Sequence, residues 1–226
     1  MDLEFITNIF PSLIETLPLT IYIVIVTAVL GFLLAVVVTA LRIKKVPVIS
    51  QLLNMYTSFM RSTPGLIHIF IVYYGLPVLF AGIGININVI SRVTFSIVAL
   101  VLYNGAFVSE ILRPSYLAIP KAQHEAAISV GMTNWQKLTR IIFPQVLPIA
   151  LPSLGNALID LLKDTSLLFL IGLVDIMGQA DIIIANTLGV YQLEVYVAVA
   201  LIYWALSVVL EQVMRLLEKK TRKFVR

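Results

Sequence analysis

Four polar side chains recur at helical spacing in an otherwise apolar stretch: Asn156, Asp160, Lys163 and Asp164. This spacing places them on one face of a helix. Carboxylates and an amide on one face can bind the ammonium group of a small polar molecule, or a carboxylate can pair with the lysine. Both interpretations stay open. In the first, Asn156 and Asp160 line a solute path. In the second, either Asp160 or Asp164 pairs with Lys163 near the cytoplasmic end of the helix.

Three more polar side chains interrupt an earlier apolar stretch and are candidates for the same path. Arg61 can bind a carboxylate or pair with Glu110, and we favour the pairing. His68 follows on the same helix, where a lone histidine is more often a hydrogen-bonded packing residue than a ligand. Tyr74 suits a pocket wall or an aromatic belt at the membrane interface, the belt being the default.

Catalytic patterns are missing from the sequence. No GxxxxGK[ST] phosphate loop occurs, and two histidines with no cysteine make no metal-ligand cluster. No serine, histidine and carboxylate stand at the spacing of a triad. The sequence therefore predicts no catalytic residue, no metal site and no cofactor bound by this chain.

Composition indicates what surrounds the protein. The chain has 226 residues, of which 60% are hydrophobic and 12% charged. Soluble domains are about 45–50% apolar and about 25% charged. So few charges do not cover a water-facing surface, and we expect most of the surface to face lipid.

Five stretches are long and apolar enough to span a bilayer, which takes about 20 residues. Arg61 and Pro64 interrupt the second. We predict an all-α membrane protein with a single domain over residues 1–226 and these approximate spans: 18–41, 51–80, 93–112, 146–173 and 195–217.

The basic residues indicate the orientation. With five spans, 13 of the 16 lysines and arginines fall on one side of the membrane. Such a bias places that side in the cytoplasm and the N-terminus outside. It also argues against a nucleic-acid partner, because a basic tail beside a span is typical of contact with anionic lipid. The 13 residues are Arg42, Lys44, Lys45, Arg113, Lys121, Lys137, Arg140, Arg215, Lys219, Lys220, Arg222, Lys223 and Arg226.

The longest cytoplasmic loop, residues 113–144, has helical structure of its own. We expect a first short helix to end at Gly131, since glycine accepts the left-handed conformation just past a helix end. Thr133 and Gln136 fit a capping box that starts a second helix. Pro144 is expected to separate that helix from the fourth span.

This loop resembles the EAA loop of bacterial ABC importer permeases, with phenylalanine in place of one leucine. The matching residues are Glu125, Ala126, Ala127, Gly131, Ile141, Phe143 and Pro144. Segments 61–64, 73–77 and 162–167 resemble the polar amino acid branch of the same family.

The resemblance implies a type I importer permease fold in a bacterial cytoplasmic membrane. It implies four kinds of partner: a second permease subunit, identical or closely related; two cytoplasmic ATPase subunits that hold ATP and Mg; an extracytoplasmic solute-binding protein; and a polar amino acid. The residues expected to couple to the ATPase are Gln123, Glu125, Ala126, Ala127 and Gly131. The plainer alternative is an amphipathic cytoplasmic helix capped by glycine.

Ala157 bears on the choice of amino acid. Some permeases for cationic amino acids in this branch carry a carboxylate at the matching position. We therefore slightly favour a neutral or zwitterionic amino acid, such as cystine or glutamine, over a cationic one. Two alternative functions are a secondary transporter driven by an ion gradient and a membrane scaffold without transport.

Overall fold

The computed structural model describes residues 1–221, and all regular structure in that range is helical. Of the basic residues in the predicted cytoplasmic tail, Arg222, Lys223 and Arg226 lie outside the described residues. The helices are α1 Leu3–Glu15, α2 Leu17–Ile43, α3 Ile49–Ser62, α4 Gly65–Ala81, α5 Arg92–Leu117, α6 Lys121–Ser129, α7 Asn134–Ile171, α8 Ile176–Asn186 and α9 Gln192–Thr221.

Four helices are each long and apolar enough to cross a membrane: α2, α5, α7 and α9. A fifth crossing is formed only if α3 and α4 are taken together, and these two meet at an angle of 116°. The expectation that Arg61 and His68 lie on the same helix is wrong, because α3 ends at Ser62 and α4 begins at Gly65. Thr63 is extended, with φ −114° and ψ 141°, as the residue before a proline tends to be. This breaks the helix at Pro64.

Helix α7 is continuous where the sequence predicted a break. The second helix of the cytoplasmic loop and the fourth span are one continuous helix of 38 residues, so Pro144 does not separate them. A π-helical segment, Leu138–Ile142, ends two residues before this proline. Its wider turn relieves the clash and the lost hydrogen bond that proline causes in an α-helix.

The centre of the fold is the close packing of α2 against α5. A Cβ atom on Gly31 would lie 2.8 Å from Oδ1 of Asn104, and one on Gly105 would lie 2.8 Å from Cδ2 of Leu34. Both glycines therefore let the two helices approach closely. This pair gives α7 and the α3–α4 break a firm surface to pack on.

Two short helices near the predicted external side were absent from the sequence analysis: α1 and α8. Helix α1 packs on α8 and α9. The ring of Phe5 stacks on that of Tyr191 at 4.0 Å, and Nε2 of Gln179 donates to Oγ of Ser12 at 2.7 Å. Both helices are too short to span a bilayer, so a search for spans does not find them.

Candidate functional site: a polar cavity and a cytoplasmic helix

A cavity of about 580 Å³ lies between α3, α5 and α7, and we call it the polar cavity. It brings together five of the seven residues predicted for a solute path: Arg61, Asn156, Ala157, Asp160 and Asp164. Small-molecule pockets in proteins measure about 300–1,000 Å³. The cavity is therefore large enough for an amino acid.

One wall of the polar cavity is cationic. Glu110 of α5 pairs with two arginines: Nη1 of Arg42 donates a hydrogen bond to Oε1, and Nη1 of Arg61 forms an ion pair with Oε2 at 3.5 Å. The predicted pairing of Arg61 with Glu110 is confirmed. Two guanidinium groups share one carboxylate, so this cluster carries an excess positive charge. The Arg61 side chain is 50% exposed and retains N–H donors that can reach into the cavity.

Sequence reasoning missed Arg42 as part of this cluster. It had been counted only among the basic residues that follow the first span. In the structure its side chain is 8% exposed, and its Nε also donates to Oδ1 of Asn54 at 2.8 Å. A signal was available in the sequence. Arg42 directly follows the apolar stretch and still lies within α2, so its side chain continues one face of that helix.

The opposite wall of the polar cavity is anionic and comes from α7. Nζ of Lys163 lies 3.2 Å from Oδ1 of Asp160, and both side chains are mostly exposed. The pairing interpretation therefore holds for Asp160. Asp164 is half-buried and makes no ion pair with any residue of the range 1–221. Asp164, rather than Asp160, is the carboxylate left available to a cationic group.

Two predicted path residues lie away from the polar cavity. His68 is 2% exposed, and its Nε2 lies 3.2 Å from the carbonyl oxygen of Met60. A carbonyl only accepts, so the ring nitrogen is the donor, as expected of a packing histidine. Tyr74 is exposed, and its ring packs edge-on against that of Tyr73 at 4.9 Å.

Helix α6 has a defined end on the cytoplasmic side. Gly131 has φ +75°. Its N–H donates to the carbonyl of Ile128 at 2.9 Å, and the N–H of Met132 donates to that of Ala127 at 3.1 Å. These two bonds form a Schellman motif. The predicted role of Gly131 as the residue that ends this helix is confirmed.

The start of α7 follows at once and is also as predicted. The N–H of Gln136 donates to Oγ1 of Thr133 at 3.2 Å, and the N–H of Thr133 donates to Oε1 of Gln136 at 2.9 Å. This is a complete capping box. The turn between α6 and α7 is thus held at both ends by local hydrogen bonds.

The predicted coupling residues of α6 do not all face the same way. Gln123, Glu125 and Ala126 are exposed, whereas Ala127 is 4% exposed and packs against the rest of the chain. Only the first three can therefore touch a partner directly. Ala127 instead lets α6 sit close to the membrane-spanning helices.

Comparison with known proteins now adds to this geometry. Residues 28–223 match a family described as the inner membrane component of binding-protein-dependent transport systems. The chain belongs to this family. It is therefore a multi-pass permease of the cytoplasmic membrane, with the type I importer permease fold that the EAA-like loop indicated.

Individual members of the permease family match almost the whole chain. The L-cystine transport system permease protein TcyL of Bacillus subtilis (strain 168) is 37% identical over 98% of this chain and 92% of its own length. The probable amino-acid permease protein YxeN of the same organism is 35% identical over 99% of this chain and 97% of its own length. Among solved structures, a chain of the crystal structure of an amino acid ABC transporter with histidines has 28% sequence identity and a TM-score of 0.82. The match covers 97% of this chain and 99% of that chain.

Proposed function

We propose that this chain is the permease subunit of an ATP-driven importer that carries a polar amino acid into the cell. The observation that carries the proposal is the polar cavity, which has Arg61 on one wall and Asp164 on the other. An amino acid bears a carboxylate and an ammonium group, and each would meet a group of opposite charge. Relatives named for amino acid transport support the same substrate class.

Within that class we favour a neutral or zwitterionic amino acid, such as cystine or glutamine. Ala157 lines the polar cavity with a methyl group, at the position where some permeases for cationic amino acids carry a carboxylate. Of the two α7 carboxylates that line the cavity, Asp164 makes no ion pair within residues 1–221, and the α-ammonium group of any amino acid would occupy it. The name of the cystine permease TcyL agrees with this preference.

We assign to α6 the role of coupling transport to ATP hydrolysis. In the proposed assembly, two permease subunits, identical or closely related, each present this helix to a cytoplasmic ATPase subunit. The ATPases hold ATP and Mg, and an extracytoplasmic binding protein delivers the solute. The exposed Gln123, Glu125 and Ala126 would touch the ATPase, and Gly131 would keep the helix end compact.

Uptake into proteoliposomes tests the proposal. The permease would be reconstituted with its ATPase and binding protein, and labelled cystine, glutamine, arginine and histidine would be offered one at a time. We expect uptake of a neutral or zwitterionic amino acid that stops when ATP is withheld. Uptake that continues without ATP but stops when an ion gradient is collapsed would favour a secondary transporter. No uptake of any amino acid by an assembled, ATP-hydrolysing complex would favour a scaffold.

A further inference from the structure

A second cavity shares no lining residue with the polar cavity. Its volume is about 510 Å³, and we call it the apolar groove. It is bounded by the cytoplasmic halves of α2 and α7 and by the end of α5. The residues that define it best are Phe32, Val36, Lys44, Tyr116, Trp135 and Phe143.

The wall of the apolar groove suits a hydrocarbon chain better than a polar solute. Its two threonine hydroxyls are both bonded to backbone carbonyls. Oγ1 of Thr39 donates to Ser109 at 3.2 Å, and Oγ1 of Thr139 donates to Trp135 at 2.8 Å. None of the described residues that line the groove is acidic. The remaining side chains of the wall are almost all aliphatic or aromatic.

The length of the apolar groove matches one leaflet of a bilayer. Along α2 it runs from Phe32 to Lys44, and along α7 from Trp135 to Val146. The α7 wall includes residues predicted as cytoplasmic loop, but these belong to the continuous 38-residue helix that is long and apolar enough to cross a membrane. Eleven or twelve helical residues rise about 16–18 Å. The hydrocarbon core of a bilayer is about 30 Å thick, so one leaflet measures about 15 Å.

The cytoplasmic end of the groove has the features of a headgroup site. Tyr116 and Trp135 line this end, and Trp135 is 72% exposed. Tyrosine and tryptophan are enriched at membrane–water interfaces. Lys44 lines the same end and forms no ion pair with any residue from 1 to 221. Arg42, two residues earlier, is already engaged by Glu110. Lys44 is therefore an uncommitted cation at the mouth of an apolar cleft.

We propose that the apolar groove binds an anionic phospholipid of the cytoplasmic leaflet. One acyl chain would lie between α2 and α7, and the phosphate would meet Lys44. A lysine near an anionic membrane surface contributes about 1 kcal/mol, so charge complementarity favours an anionic over a zwitterionic lipid. Because Trp135 begins the helix that follows the coupling turn, the bound lipid would brace that turn.

Two pairs of variants test the lipid site, each with a neighbour as its matched control. Val36→Trp fills the groove, whereas Val37→Trp places the same bulk on an exposed residue outside it. Lys44→Gln removes the cation at the groove, and Lys45→Gln removes the adjacent one, which does not line it. The assembled transporter would be purified in mild detergent and equilibrated with mixed micelles of phosphatidylglycerol and phosphatidylcholine. Retained lipid would then be measured by native mass spectrometry.

We expect the unmodified protein to retain phosphatidylglycerol in preference to phosphatidylcholine. Lys44→Gln should reduce that preference about fivefold, the effect of about 1 kcal/mol, while Lys45→Gln leaves it unchanged. Val36→Trp should abolish retention of both lipids, and Val37→Trp should not. Equal retention by the two tryptophan variants, or a preference that survives Lys44→Gln, would overturn the proposal.

Photo-crosslinking distinguishes other occupants of the groove and does not require a bulky substitution. A benzoylphenylalanine at Val36 in the assembled transporter, within native membranes, should form an adduct with the mass of a phospholipid. An adduct with a second permease copy or with the ATPase subunit would show that protein covers the groove and would overturn the lipid proposal.

Discussion

The cytoplasmic turn and the polar cavity of this permease are stabilised by contacts of very different range. The turn between α6 and α7 is fixed by hydrogen bonds between residues no more than five positions apart. The cavity wall instead depends on Glu110, which reaches back 68 positions to Arg42. A locally fixed turn can move as a unit with its helix, whereas the cavity changes whenever α2, α3 or α5 shift relative to one another. In the proposed mechanism, the turn would transmit motion and the cavity would respond to it.

The largest expected effect comes from breaking the long-range contact. Glu110→Gln leaves the nearly buried guanidinium of Arg42 without a counter-charge, and loss of one partner of a buried pair costs about 3 kcal/mol. We expect a clear fall in the thermal unfolding temperature of the purified protein. Glu211→Gln, which breaks an exposed pair with Arg215, is the control and should change little. Equal effects of the two variants would contradict the importance of the arginine cluster.

A smaller effect is expected within the cavity itself. Asp164→Asn removes the cavity carboxylate that makes no ion pair within residues 1–221, and loss of a charged hydrogen bond costs about 2 kcal/mol. The apparent affinity for the amino acid in the uptake assay should fall about 30-fold. Asp160→Asn is the matched control, because Lys163 already engages that carboxylate in an exposed pair. If Asp160→Asn proved the more damaging, the assignment of the two carboxylates would be reversed.

At the turn, changing the charge of the exposed face should alter coupling and leave the cavity intact. Glu125→Lys should weaken the affinity for the ATPase about tenfold, equivalent to ~1.4 kcal/mol, and should lower the number of amino acids carried per ATP. The protein should remain in the membrane, and its thermal stability should not change. Glu4→Lys, on the exposed start of α1, makes the same reversal on the predicted external side. Unchanged coupling in Glu125→Lys would remove α6 from the proposed mechanism.

The smallest expected effect comes from replacing a glycine of left-handed conformation by alanine. This change distinguishes the cost of backbone strain from an effect on coupling to ATP. Gly131 and Gly189 have φ +75° and φ +78°, and a Cβ atom on either would meet no atom within 4 Å. Alanine at each position should therefore cost about 1 kcal/mol in backbone strain alone. Stability should fall equally in Gly131→Ala and Gly189→Ala, but only Gly131→Ala should reduce transport per ATP. Equal losses of transport per ATP in the two variants would mean that the end of α6 matters no more for coupling than the turn at Gly189.

The features predicted correctly from sequence are those in which neighbouring residues decide the outcome. The capping box at Thr133, the helix end at Gly131 and the bonded histidine His68 are examples. The two prolines show where this approach fails. Pro64 breaks a helix and Pro144 does not, although both were expected to interrupt helical structure. A wider turn before Pro144 accommodates it, and local residue types alone do not reveal that turn.

The sequence by itself determined the membrane location, the orientation and the position of the EAA-like loop. These follow from the lengths of apolar stretches, the placement of lysine and arginine, and short-range spacing. Only the tertiary structure decided that Arg42 joins Arg61 on Glu110 and that Ala127 faces inward. Those outcomes depend on how closely distant helices approach and on which rotamers their packing permits, so no local pattern specifies them.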